Sequence, residues 1–285
     1  MSQTIFSAYN NLKHNLEKID ESDYVFEAKQ IIKYVTGYTN REILERYTEN
    51  LTAVQENKLI AILEQRKMRY PLQYILGRWD FYGLPFMVGP GVLIPRADTE
   101  TLVEKSLDLI KDRKNPKVLD LCTGSGCIAI AIAKNRPDAE VTALDKYDVP
   151  LSYAKKNIEL NKVDNVTLSE GDVLKGAEND KKYDLIVSNP PYLTKTEMEN
   201  LQPEVSYEPD TALLGGEDGL EFYRAIIENY KSALKENGIM AFEIGATESQ
   251  DNLAEMLREA GFKNVDTALD IENRQRVVFG TYNNI

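Results

Sequence analysis

The segment Tyr183-Asp184-Leu185-Ile186-Val187-Ser188 runs without a break into Asn189-Pro190-Pro191-Tyr192. Consecutive prolines fix φ and offer carbonyls without competing N–H donors, so the end of this apolar run is a rigid array of acceptors. The Asn189 side-chain oxygen and the Pro190 backbone carbonyl can together accept both hydrogens of one NH₂ group, and Tyr192 presents a flat face on which a planar group packs. An amide nitrogen is a poor nucleophile because its lone pair is delocalised into the carbonyl. Two acceptors that hold its hydrogens polarise it and turn the lone pair towards an electrophile, and positioning of this kind supplies much of a rate. Asn189, Pro190 and Tyr192 are therefore the candidate catalytic residues, and Asn189, Pro190, Pro191 and Tyr192 the candidate substrate site. The plainer alternative is a strand stopped by prolines, with Asn189 an ordinary turn residue.

Upstream, Val118-Leu119-Asp120-Leu121-Cys122-Thr123-Gly124-Ser125-Gly126-Cys127-Ile128-Ala129 reads as an apolar strand, a turn of small residues and a helix. Gly124 and Gly126 let the backbone turn tightly and approach a ligand that a Cβ would obstruct. Asp145, 21 residues after Gly124 and at the end of the next strand, is placed to accept hydrogen bonds from a ribose diol. Asp172, after Gly171 at the end of a third strand, is the candidate acceptor for an adenine amino group. Gly124-x-Gly-x-x-Ala129 also satisfies the relaxed dinucleotide fingerprint, so a nicotinamide enzyme stays open on this motif alone.

The elements that must hold these residues are legible from periodicity. Residues 3 to 70 carry apolar residues at helical spacing, as in Ala28, Ile31, Ile32 and Val35, then Leu59, Ile60, Ile62 and Leu63. Pro71 ends this run, and Gln73 to Pro95, punctuated by Gly77, Gly83, Gly89 and Gly91, reads as a β-hairpin linker. Asp98 is the expected N-cap of a helix carrying Leu102, Val103, Leu107 and Ile110. Beyond it, strand candidates Lys117–Cys122, Glu140–Leu144, Val166–Leu168, Tyr183–Ser188, Met240–Ile244, Val265–Leu269 and Arg276–Phe279 alternate with helical runs. Seven such strands predict an α/β fold, a seven-stranded doubly wound Rossmann-like sheet. The expected division is a helical domain over 1–72, a hairpin linker over 73–95 and the α/β domain over 96–285. In such sheets ligands bind outside the carboxyl ends of the strands, where both motifs fall.

Composition narrows the chemistry. His14 is the sole histidine and lies in a polar stretch, which argues against Ser-His-Asp or Cys-His catalysis. Cys122 and Cys127 alone make neither a disulfide framework nor a zinc site, so no metal is expected. Residues 1 to 80 balance 11 Lys and Arg against 11 Asp and Glu, which leaves 23 against 35 for the rest of a chain of net charge −12. An acidic domain does not grip a phosphate backbone, so nucleic-acid binding is disfavoured and a basic partner fits better. No apolar run approaches the roughly 18 to 20 residues of a membrane-spanning helix, and the N-terminus has no signal pattern, so a cytoplasmic protein is expected.

At this point the chain resembles the bacterial release factor glutamine methyltransferases. The likeness rests on Pro71–Gly77 (Pro-Leu-Gln-Tyr-Ile-Leu-Gly), Leu93–Glu100 (Leu-Ile-Pro-Arg-Ala-Asp-Thr-Glu), Asp120 to Gly126, Asn189 to Tyr192, Tyr207-Glu208-Pro209 and Gly215 to Leu220. The resemblance implies transfer of methyl from S-adenosylmethionine to N5 of the glutamine in the Gly-Gly-Gln tripeptide of class 1 peptide chain release factors, in support of translation termination. It implies that Cys122, Thr123, Gly124, Ser125, Gly126, Asp145, Asp172, Val173 and Asn189 line the cofactor site, that Asn189 to Tyr192 hold the glutamine, and that the N-terminal helices dock the release factor. A monomer is expected. One rival keeps the chemistry and changes the acceptor to the exocyclic amine of adenine; others are a nicotinamide dehydrogenase and a non-catalytic binding protein. Arg96 is expected either to touch substrate or to pair with Asp98 and Glu100. Arg66, Lys67 and Arg69 are read as an RNA-facing patch or as cations complementing a helix dipole, Trp79, Phe81 and Tyr82 as bordering the cofactor or, the better reading, as packing for the hairpin, and Tyr207-Glu208-Pro209 as a loop closing the pocket.

Overall fold

The computed structural model describes residues 3–20, 23–176, 182–245 and 249–283, without the side chains of 249–251. The chain divides into two compact units, residues 1–77 with 202–207 and residues 78–201 with 208–285.

The first unit is helical: α1 (Ile5–Glu17), α2 (Tyr24–Thr36), α3 (Asn40–Glu45), α4 (Ala53–Lys67) and α5 (Leu72–Leu76). Thr39 with Glu42 and Thr52 with Gln55 form capping boxes that satisfy the first N–H groups of α3 and α4. The amphipathic stripes meet in one core of Ile5, Leu12, Leu16, Ile31, Ile32, Val35, Leu59 and Ile62. Ile60, expected in this core, is 55% exposed, because on α4 it faces away from the stripe that Leu59 and Ile62 occupy. Residues 73–76, read as the start of the hairpin linker, belong to α5, which Gly77 ends in the left-handed region at φ 68°. The basic cluster is a folded ion-pair network: Arg66 is 1% exposed, its guanidinium is held by Glu27 at 2.8 Å and Glu204 at 3.2 Å, and Arg69 pairs with Glu204 at 2.7 Å and with Asp20. A buried charge demands such partners, which accounts for Arg66; Lys67 stays exposed beside Glu64, and Arg66 and Lys67 both lie in the last turn of α4, where cations complement the helix dipole. The Tyr207 phenol donates to the Met68 carbonyl in the same unit.

The second unit begins with the hairpin β1 (Arg78–Phe81) and β2 (Leu84–Met87). Tyr82 and Gly83 both have positive φ, 51° and 71°, the two-residue turn that suits twisted strands. Then come α6 (Glu100–Leu109), β3 (Lys117–Leu121), α7 (Cys127–Asn135), β4 (Glu140–Asp145), α8 (Asp148–Asn161), β5 (Val166–Glu170), β6 (Tyr183–Ser188), α9 (Lys195–Met198), α10 (Glu221–Tyr230), β7 (Leu234–Glu243), α11 (Ser249–Glu259), β8 (Phe262–Leu269) and β9 (Gln275–Tyr282). The seven-stranded sheet has the order β5-β4-β3-β6-β7-β9-β8. Its pairings from β5 to β7 are parallel, and β9 runs antiparallel between β7 and β8. The order reverses between β3 and β6, so the ends of these two strands flank the switch point where a doubly wound sheet opens a ligand crevice.

Both sheet faces are covered, which explains the unbroken apolar runs of the central strands. Val118, Leu185 and Val187 face α6, α7 and the hairpin phenylalanines Phe81 and Phe86. Leu119, Ile186 and Met240 face Tyr223, Ile226 and Tyr230 of α10 and Leu253 and Leu257 of α11. Each such side chain contributes roughly 1.5–3 kcal/mol on full burial. Asp98 is not an N-cap: residues Ala97–Thr99 form a 3-10 turn ahead of α6, and Asp98 turns instead to Arg276 at 2.9 Å.

Candidate active site

The carboxyl ends of β3, β4, β5 and β6 open into one cleft, the place where a doubly wound sheet holds its ligands. Cys122, Thr123, Gly124 and Ser125 line it from the first strand, Asp145 from the second, Asp172 and Val173 from the third, and Asn189 and Pro191 from the fourth. Its lining residues all lie in the second unit. Gly126, Pro190 and Tyr192 are not among them. Gly126 stands at the N-terminus of α7 with φ 80°, where a Cβ would crowd Ala154 and Ile130 at 3.2 Å, so its role is close packing of the turn on α8. Pro190 is buried, and Tyr192 packs against the core beneath α10. Trp79, Phe81 and Tyr82 stay outside the cleft.

Asp145 is the polar centre of the turn. Its Oδ2 accepts the Gly124 N–H at 2.8 Å and its Oδ1 the Tyr147 N–H at 3.1 Å. Burial raises its pKa in spite of these donors. A lone pair remains for a ligand hydroxyl. Beneath the turn the fully buried Asp120 accepts the Thr123 hydroxyl at 2.5 Å and the Ala129 N–H at 3.2 Å, and burial pushes its pKa up to about 7. Cys122 lies in the left-handed region at φ 59°, a rare conformation for a non-glycine residue and one that clusters at functional sites. Burial holds its thiol in the neutral form by raising the pKa. At the third strand, burial opposes the charge of Asp172, but Lys146, 3.0 Å away, and the Leu174 N–H outweigh it and lower its pKa.

The Asn-Pro-Pro-Tyr turn is gripped from behind. Leu193 N–H donates to the Leu213 carbonyl and Gly215 N–H to the Leu193 carbonyl. A Cβ at Gly215 would lie 2.6 Å from Tyr192 Cα and 2.7 Å from the Pro191 oxygen, so only glycine permits this approach. Burial pushes the Tyr192 phenol up to about 12. Asn189 donates through Nδ2 to Thr99 Oγ1 at 3.4 Å.

Several site residues had no local signal in the sequence. Asn157 of α8, fully buried, takes the Met87 N–H on Oδ1 at 2.6 Å and donates to the carbonyls of Met87 and Ser125 at 3.1 and 2.9 Å, tying the hairpin to the glycine turn. Arg96 lines the cleft and pairs with the buried Glu208, which also accepts the Ile94 N–H at 2.9 Å; the expected partners Asp98 and Glu100 serve Arg276 and the Tyr82 N–H instead. Pro209, Thr211 and Ala212 follow Glu208 along the cleft wall. His14 lies in α1 of the helical unit, and no group of His, Cys, Asp and Glu among the described residues is arranged to hold a metal. No helix among them is long and apolar enough to cross a membrane.

Comparison with known proteins agrees with this geometry. The model of the PrmC N-terminal domain matches residues 7–77, and that of the Methyltransferase small domain residues 98–204. The release factor glutamine methyltransferase of Thermodesulfovibrio yellowstonii is 41% identical over 92% of this chain and 96% of its own; that of Clostridium acetobutylicum is 37% identical over 98% and 97%. Among solved structures, the hMettl16 catalytic domain in complex with a MAT2A 3'UTR hairpin superposes with a TM-score of 0.59 over 92% of each chain at 17% identity, a likeness of fold alone. With close relatives matched over nearly their whole length and a cleft built at the expected strand ends, this chain belongs to the release factor glutamine methyltransferase family.

Proposed function

We propose that the chain transfers a methyl group from S-adenosylmethionine to the N5 amide nitrogen of the glutamine in the Gly-Gly-Gln tripeptide of class 1 peptide chain release factors. The observation that carries this reading is the meeting, in one cleft, of an Asn-Pro-Pro-Tyr turn at the end of β6 with a glycine turn and carboxylate at the ends of β3 and β4. The donor set fits the cofactor. Asp145 offers two acceptor oxygens to a ribose diol, Leu144, Pro150, Val173 and Leu174 offer apolar walls to a flat base, and Asp172 offers a carboxylate to its amino group. Cys122, Thr123, Gly124 and Ser125 would follow the methionine part, with Gly126 holding their turn against α8.

When bound, the sulfonium supplies an already activated methyl group, so no strong base is needed before transfer. The protein's part is orientation. Asn189 Oδ1 and the Pro190 carbonyl accept the two hydrogens of the glutamine NH₂, which turns the nitrogen lone pair towards the methyl and lowers the entropic cost of the encounter. Pro191, which lines the cleft with Asn189, gives the carboxamide an apolar wall, while Tyr192 packs against the core. The amide proton displaced by methylation leaves through the open mouth to water. The helical unit, which contributes nothing to the cleft lining, serves to dock the release factor. An acidic catalytic unit suits a partner whose loop must enter ribosomal RNA. The protein acts in the cytoplasm, where release factors work, and as a monomer.

Incubation with methyl-labelled S-adenosylmethionine and either purified release factor or a DNA duplex, followed by mass spectrometry, tests the reading. Label on the tripeptide glutamine is expected, and Asn189→Ala should abolish transfer while retaining most affinity for S-adenosylhomocysteine. Label on adenine instead, or full activity of Asn189→Ala, would refute it.

A further inference from the structure

Arg96 stands in extended backbone, φ −97° and ψ 146°, and its carbonyl accepts the Thr99 N–H at 3.2 Å. Through Nη2 its guanidinium pairs with Oε1 of Glu208, whose other oxygen accepts the Ile94 N–H at 2.9 Å. The Glu208 side chain is 2% exposed and that of Arg96 37%, so a buried anchor holds a cation that stays partly open. Nε and Nη1 of Arg96 have no hydrogen-bond partner among the described residues. Arg96 lines the cleft with Asn189, Pro191, Pro209 and Ala212. Prolines have no N–H to give, and the Ala212 N–H is spent on the Pro209 carbonyl at 2.9 Å, so this wall draws its spare donors largely from Arg96.

We propose that Arg96 binds a main-chain carbonyl of the acceptor peptide next to the reacting glutamine and so selects a peptide as substrate, an inference that rests on the amide-methylation reading above. Three kinds of oxygen would meet in the loaded cleft, and the chemistry of the pair separates them. A guanidinium on the carboxamide oxygen would draw the nitrogen lone pair further into the carbonyl and oppose transfer. The carboxylate of the cofactor calls for net positive charge, which Glu208 has already neutralised; what the pair offers is directed N–H groups with little net charge. A peptide carbonyl is neutral and planar, and it gives up its water on entering the cleft, so it needs such a donor. Glycine beside the glutamine has no Cβ to hold its carbonyl away from the guanidinium. Because Glu208 and the Thr99 N–H fix Arg96 before the peptide arrives, little side-chain freedom is lost on binding. This contact is the same in the ground state and the transition state, so it sets KM and leaves kcat alone.

The test is steady-state methylation of a purified release factor by Arg96→Met, alongside calorimetric binding of S-adenosylhomocysteine and thermal melting. KM for the release factor is expected to rise by about tenfold or more, with kcat within roughly threefold and S-adenosylhomocysteine affinity within roughly twofold of the parent. A parental KM would overturn the proposal. A fall in kcat at unchanged KM would overturn it by placing Arg96 on the reacting amide, and weakened S-adenosylhomocysteine binding would overturn it by placing Arg96 on the cofactor. Arg96→Met leaves the buried Glu208 carboxylate without its cation, so if that variant does not fold, Arg96→Met combined with Glu208→Gln, which removes the orphaned charge and keeps an acceptor for the Ile94 N–H, is held to the same three measurements. Failure of the unsubstituted protein to methylate glutamine would remove the underlying reading and this inference with it.

Discussion

Replacing Asp145 by asparagine separates what this residue does for the fold from what it does for a ligand. Its Oδ2 takes the Gly124 N–H at 2.8 Å and its Oδ1 the Tyr147 N–H at 3.1 Å, so an amide must turn its NH₂ on one of these donors. Leaving one buried N–H unpaired costs about 1–3 kcal/mol. The same substitution removes a carboxylate that is only 8% exposed and whose pKa burial raises despite three backbone donors, so relief of desolvation offsets much of that cost. The expected change in ligand-free stability is therefore within about 1 kcal/mol, a Tm shift of roughly 2–4 °C. Cofactor affinity has no such offset: one ribose hydroxyl loses its acceptor, and about 1–3 kcal/mol corresponds to roughly 5- to 150-fold in Kd for S-adenosylhomocysteine. Isothermal titration calorimetry and melting of the same preparation give both numbers. An affinity within twofold of the parent would refute the assignment, and a collapse of Tm would make Asp145 a structural residue first.

Three further outcomes follow from the packing. Asn157→Leu leaves the Ser125 carbonyl and both backbone groups of Met87 without their partner; a loss of about 3 kcal/mol, measured by urea denaturation, is expected, and a loss below about 0.5 kcal/mol would show that the clamp contributes nothing. Gly215→Ala forces a Cβ against Tyr192 and Pro191, so label transfer should fall by at least about tenfold while S-adenosylhomocysteine still binds; unaltered turnover would contradict the account of the turn. Glu243 and Asp120 are both raised to about 7 by burial. The native state therefore binds more protons than the unfolded one between the ordinary carboxylate range and pH 7, and the slope ν_U − ν_N is negative. Stability is expected to fall as pH rises from about 5 to 8, and Glu243→Gln should flatten that fall in a series of urea titrations; a parent whose stability rises across this window would contradict the burial of these two acids.

The sheet was legible because its strands are covered on both faces. Tyr183 to Ser188 has no polar alternation to confuse its period, and its end at the diproline could be placed to the residue. Short runs with weaker edges were read short: the strand anticipated at Met240 begins at Leu234, since Lys235, Glu236 and Asn237 interrupt the apolar pattern that marks a strand. The glycines between Gln73 and Pro95 announced a hairpin, but neither its turn at Tyr82 and Gly83 nor the helix of residues 72–76, five residues being too few for a helical period to show. Ion pairs were the least legible feature. Arg66 finds Glu27 and Glu204 across 39 and 138 residues, and Arg96 finds Glu208 across 112, while the nearest acids in sequence serve other partners.

What the amino-acid order determined alone is local in origin: the strand–turn–helix with its glycines, the strand-end carboxylate, the Asn-Pro-Pro-Tyr terminus and the alternation that demands a doubly wound sheet. Each depends on backbone constraints and side-chain periodicity that act over a few residues. Only tertiary structure decided which distant groups complete the site. The Asn189 amide finds Thr99 across 90 residues, and the glycine turn finds Asn157 across 32, because a buried polar atom takes whatever partner the packing brings to it, at any separation along the chain.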